Sequence, residues 1–101
     1  MVTLENVKNY LRVSSCDDDE LIRGLISSAE AIVKAVGRVS DENWDAAKTE
    51  ATPDLTSLRA QIEIGMYYTI GYLYEHRDEA DHHELMITLR NLLFSVREGI
   101  L

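Results

Sequence analysis

The chain has 101 residues, 46% of them hydrophobic and 28% charged, with eighteen Asp and Glu against ten Lys and Arg for a formal net charge of -8. That length supports one compact core, a single domain over residues 1–101 that hides roughly two-thirds of the surface its unfolded chain exposes, and the negative balance disfavours adhesion to phosphate backbones or anionic lipid. The weakly charged stretch Ile64 to Tyr74 is far short of the roughly 20 apolar residues of a bilayer span, the start MVTLENVKNYLRV lacks the basic and apolar regions of a secretory signal, and the lone Cys16 can form no internal disulfide, which fits a reducing cytoplasmic setting.

Apolar residues recur at spacings of three and four along most of the chain, which holds one Pro and five Gly. The predicted fold class is therefore all-α, a small bundle of four main helices with room for a short extra helix in the 38–52 loop. Thr3 is a candidate N-cap for a first helix whose stripe is Leu4, Val7 and Leu11 and which runs to about Arg12. After a connector, Asp17 and Glu20 form a capping-box-like start, so the DDDE run reads mainly as a helix opening whose charges suit the positive end of the dipole. Leu21, Ile22, Leu25, Ile26, Ala29, Ile32, Val33 and Val36 then mark a wide apolar face, with Arg23, Ser27, Glu30 and Lys34 opposite and Gly37 as the stop.

Residues 38–52 are acidic and weakly periodic, a surface loop that can hold a short helix around Asp41 to Thr49 with Trp44 as its one large anchor. Thr52 and Pro53 open a third main helix on which Leu55, Leu58, Ile62, Met66, Ile70 and Leu73 share a face, ending near His76. Its other side also carries Ile64, Tyr67, Tyr68, Gly71 and Tyr72, so this helix is either central or shared with another subunit. After the turn RDEADHH, a last helix has Leu85, Leu89, Leu92, Leu93 and Val96 as its stripe and Arg90 and Arg97 outside, followed by the apolar tail Gly99 to Leu101.

The segment HRDEADHHE gathers His76, Asp78, Glu79, Asp81, His82, His83 and Glu84, and Glu79 with His82 matches the carboxylate-histidine step of di-iron bundles. Those bundles need a second such step and two more inward carboxylates on facing helices. Here the group falls in one turn, where solvated polar residues are the norm. Acidic pairs three apart, such as Asp17 and Glu20, Glu42 and Asp45, and Glu75 and Asp78, are expected by chance in so acidic a chain. Cys16 lacks the local motifs of a catalytic thiol, and the sequence has no phosphate-cradling glycine loop, strained serine turn or zinc-finger spacing. No catalytic, cofactor-binding or metal residue is assigned and no cofactor is expected. Trp44, Tyr67, Tyr68 and Tyr72 are instead candidates for an oligomer or partner interface, where Tyr and Trp are enriched.

Two blocks point to a family. The first is VTLENVKNYLRV, a connector and DDDELIRGLISSAEAIVKAVGR; the second is IGYLYEHRDEA, in which Leu73, Tyr74, Arg77, Asp78 and Glu79 form a leucine-tyrosine, arginine and acid pattern. Their order and spacing resemble the head-tail connector family of long-tailed bacteriophages, the small helical adaptor or head-completion proteins, over nearly the whole chain. His76 stands where that family often has Asn, and the proline often seen at the start of its last helix is missing. Both departures bear on the turn and on the boundary of the last helix.

The resemblance implies a helical subunit of a homo-oligomeric ring beneath the portal of a DNA-filled capsid. The ring would extend the DNA channel and offer a platform to the next connector or tail-completion protein, without catalysis. The expected partners are thus the chain itself, the portal protein and that next component, with DNA passing through unbound and no membrane involved. The expected location is the head-tail junction of the virion, with assembly in the host cytoplasm. Arg77, after Tyr74 at a helix end, can bind C-terminal carbonyls or a carboxylate such as Asp78 or Asp81, or else reach a neighbouring subunit. Ile100 and Leu101 in the tail are further interface candidates. Two rival readings are an acidic helical interaction module of regulatory role and a metal-dependent helical hydrolase using Glu75, Asp78, Glu79 and His82.

Overall fold

The computed structural model describes residues 2–49, 52–76 and 82–97. Its elements are α1 (Leu4–Leu11), α2 (Asp19–Gly37), α3 (Asp41–Ala47), α4 (Pro53–Glu75), α5 (His83–Leu92) and the single turn α6 (Phe94–Arg97), so the fold is all-α, with α3 as the extra helix of the 38–52 segment. Three helices begin where a hydroxyl takes an orphan backbone donor. Thr3 accepts from the Asn6 N–H at 3.1 Å, Ser40 from Asn43 at 3.1 Å and Thr52 from Leu55 at 3.2 Å, with Pro53 opening α4.

The start of α2 departs from the expected capping box. Asp18, not Asp17, flanks the helix, and its side chain caps no backbone N–H. Its carboxylate accepts instead from the Tyr74 hydroxyl of α4 at 3.1 Å, while Asp19 pairs with Lys8 of α1 at 2.8 Å. Tertiary partners have displaced the local cap, so the acidic run fastens α2 to both neighbouring helices.

Gly37 also does a different job from the one its position suggests. It is the last, buried residue of α2, and the left-handed position falls to Arg38, with φ 54°. The Val39 N–H reaches the Lys34 carbonyl at 3.0 Å and the Arg38 N–H reaches Ala35 at 3.3 Å, the paired bonds of a Schellman stop. Arg12 ends α1 in the same way, with φ 60°. What Gly37 supplies is closeness: a Cβ there would stand 3.3 Å from Val39 and 3.6 Å from Leu93.

The core lies along the α2–α4 pair, with Ile22, Ala29 and Val33 against Ile62, Met66 and Ile70, closed off by Val7 of α1, Trp44 and Ala47 of α3, and Leu85 and Leu89 of α5. Gly65 lets α4 approach, since a Cβ there would meet Leu93 at 3.3 Å and Val33 at 3.6 Å. Leu93 therefore occupies a slot walled by two glycines. That anchoring accounts for a second correction: the expected continuous last helix is broken at Leu93, with φ -101° and ψ 14°, into α5 and α6. Trp44 is 2% exposed, so its ring belongs to the core and is withdrawn as an interface candidate. Burial of its large apolar area holds α3 down, and the Lys34 ammonium 5.0 Å from its ring centroid is itself held by Asp41 at 3.0 Å. No helix among the described residues is long and apolar enough to cross a membrane.

Leu93→Ala is expected to cost about 2–5 kcal/mol, because it empties a slot whose rigid walls cannot collapse. Phe94→Ala next to it, at a side chain that is 54% exposed, is expected to cost under about 1 kcal/mol. Urea unfolding of the two variants checks the contrast; equal losses would refute the slot.

Candidate interaction surface

Helix α4 has more apolar surface than one neighbour can cover. One side, with Ile62, Gly65, Met66, Thr69, Ile70 and Leu73, is buried in the bundle. The opposite side carries Ala60, Ile64, Tyr67, Tyr68 and Gly71, and Tyr10 of α1 leans on it. The Tyr10 ring lies 5.1 Å from the Tyr67 ring at 45°, and it fits against the helix because Gly71 has no side chain: a Cβ there would stand 3.3 Å from the Tyr10 ring. This cover is incomplete. Tyr10 and Ile64 each remain 52% exposed and Tyr68 38%.

Two concavities meet on this face, sharing Tyr10 and Tyr68. The first, about 510 Å³, is bounded by Ala60, Glu63, Ile64 and Tyr67. The second, about 690 Å³, continues past Arg12, Gly71 and Tyr72 to Glu75, His76 and Glu84. Together they make a groove with an apolar end and a charged end. Tyr72 is fixed at the charged end by stacking on His76 at 4.1 Å, with His82 edge-on at 5.9 Å, and the His76 Nδ1–H donates to the Tyr72 carbonyl at 2.9 Å. At the apolar end, the Glu63 carboxylate accepts from Arg59 at 2.8 Å, and Arg59 also donates to the Lys48 carbonyl at 3.1 Å, which ties the helix to the end of α3.

The structure thus brings Tyr67, Tyr68 and Tyr72 onto one surface and leaves Trp44 out of it, while Arg77, Ile100 and Leu101 lie outside the described residues. Tyr10 is the site residue that sequence reasoning missed. It falls off the Leu4, Val7 and Leu11 stripe, and only its pairing with a glycine on a distant helix reveals its place. Among the described residues no group of three His, Cys, Asp or Glu side chains could hold a metal ion. Asp78 and Glu79, two members of the hydrolase reading, lie outside those residues. The groove offers aromatic faces, an aliphatic anchor and a few charges, which suits recognition of another protein surface.

Burial pushes the Tyr67 phenol above its ordinary range, and the Glu63 charge adds to the effect. A raised folded value means that the unfolded chain ionises first, so stability present below about pH 10 is lost as pH rises through the folded value. Tyr67→Phe is expected to lose less stability than wild type between about pH 9 and 11. Chemical denaturation across that range checks this, and parallel losses would show that Tyr67 is not the group responsible.

Neither a characterised protein nor a solved structure matches the chain. A family model described as phage gp6-like head-tail connector protein matches residues 1–101, the entire length, including both blocks that carried the resemblance. A head-tail connector is a structural part of the virion that contacts other phage head or tail proteins, and an all-helical chain with an uncovered aromatic groove suits that work. The chain belongs to the phage gp6-like head-tail connector family.

Proposed function

We propose that the chain is one subunit of a closed ring that docks beneath the portal, extends the DNA channel and presents a platform for the next connector or tail-completion protein. A single connector domain over residues 1–101 forms the repeating unit, its work is assembly without catalysis or cofactor, and the ring is put together in the host cytoplasm before it becomes part of the head-tail junction. The observation that carries this reading is the uncovered face of α4, with Tyr10, Ile64 and Tyr68 open to solvent in the lone chain. Residues of this kind anchor protein interfaces when a partner dries them.

Charge supports the same reading. A subunit of net charge -8, repeated around a channel, repels a DNA rod and lets it slide, whereas a basic lumen would hold it through counterion release. Self-repulsion between copies must then be offset by apolar and oppositely charged contacts, which is the service the groove provides.

The test is the mass of the complex formed with the portal ring of the same phage, read by electron microscopy and light scattering with and without the chain. Several copies retained per portal are expected. Ile64→Asp combined with Tyr68→Asp should abolish retention while leaving thermal unfolding nearly unchanged, since both side chains are exposed. A portal that retains no chain, or single copies only, would overturn the ring.

A further inference from the structure

A second apolar surface lies open on the last helices. Ile87 is 48% exposed and Phe94 54%, and Arg90 stands between them in sequence, one turn after Ile87. Ile87 and Arg90, three positions apart, share an outward face of α5, and Phe94 follows just past the break at Leu93 as the first residue of α6, while Leu85, Leu89 and Leu93 hold the opposite side in the core. Arg90 is exposed and makes no ion pair with another described residue, and the same is true of Glu75 and Glu84 at the charged end of the groove.

We propose that the groove between α1 and α4 receives the α5–α6 ridge of a second copy of this chain, with Ile87 and Phe94 packing among Tyr10, Ile64 and Tyr68 and Arg90 directed to Glu75 and Glu84. The inference rests on the ring reading and adds to it the two surfaces that meet. Size allows the fit: at about 1.5 Å per helical residue the α5 part of the ridge, from position 87 to 92, spans about 8 Å, half of the roughly 16 Å between positions 64 and 75 of α4. Charge favours it on balance, because among the described residues the charged end of the groove sets two unpaired carboxylates, Glu75 and Glu84, against one unpaired cation, Arg12, and the ridge supplies the further cation Arg90. Symmetry favours it too. Groove and ridge are different patches, so their contact is head-to-tail and leaves a free groove and a free ridge at the ends of every pair, which is what closure into a ring of many copies requires. A groove-to-groove contact would stop at two.

Two single-cysteine variants, both in a Cys16→Ser background, test the pairing. One carries Tyr68→Cys and the other Ile87→Cys; they are mixed in equal amounts, assembled on the portal ring and oxidised. Disulfide-linked pairs in the mixture, absent from either variant alone, are expected. In parallel, Arg90→Glu should weaken retention of several copies by roughly tenfold or more, and adding Glu75→Arg with Glu84→Arg to the same chain should restore most of it, a rescue that a merely structural role would not give. Multi-copy complexes that form normally without the 68–87 link and ignore the charge swap would overturn this pairing while leaving the ring intact. A Tyr68→Cys thiol that links to the portal protein instead would overturn it as well. Failure of the wild-type chain to assemble at all would overturn both readings.

Discussion

The constraint on which the architecture turns is that α4 is apolar on two sides, one of which the described helices bury and the other of which they cover only in part. Its inner side is met by α2 and α5, and the approach is close because Gly65 and Gly37 leave room for Leu93 between the helices. A β-carbon at Gly65 would press on Leu93 and one at Gly37 would press on Val39 and touch the same leucine, so the separation of α2 from α4 and the depth of Leu93 are linked in packing. Among the described residues the outer side is met by the short helix α1, whose Tyr10 packs on Gly71 and Tyr67. Interior packing is thus completed with what the chain has, and the remainder stays as aromatic surface.

Ion pairs arrange the charges of this acidic chain more than they stabilise it. Lys8, Lys34, Lys48 and Arg59 are each held by carboxylates of the same chain, at 2.8 to 3.6 Å. Water screens pairs at or near the surface, so their main effect is to neutralise cations locally. The field seen by an approaching molecule is therefore set by the remaining acids together with exposed arginines such as Arg12, Arg23, Arg38 and Arg90, which make no ion pair with a described residue. Asp18 and Asp19 are exceptions in purpose, since they join α2 to the Tyr74 end of α4 and to α1 and so fix where the groove's walls stand.

Much of this was legible in the residues and some of it could not be. Thr3 and the Thr52–Pro53 step mark their helix starts by local chemistry, and local chemistry decided the outcome there. The two-sided character of α4 was readable from Ile64, Tyr67 and Tyr68 because helical periodicity needs no partner to be seen. The capping box assigned to Asp17 and Glu20 failed because the helix starts one residue later, after Asp18, and Tyr74, remote in sequence, engages the Asp18 carboxylate that could have capped it. Gly37 suggested a left-handed stop, yet the Schellman bonds form with Arg38 in that position, and the glycine instead leaves room for Val39 as the chain turns back, with Leu93 and Val96 in contact beyond it. Trp44 looked like an anchor for a partner and is one for its own bundle, a distinction that depends on where α3 lands.

The same two properties, leftover apolar surface and excess negative charge, act against each other between free copies. Bringing two such subunits together gains the burial of a few half-exposed side chains but sets a charge of -8 against its like. A small apolar contact opposed by Coulomb repulsion is weak at the low concentrations of free chain. It becomes favourable once several copies are held at one docking site, where the local concentration rises by orders of magnitude without any new contact. In the proposed ring the portal would supply that site, and the groove's contacts would then act between copies already held side by side.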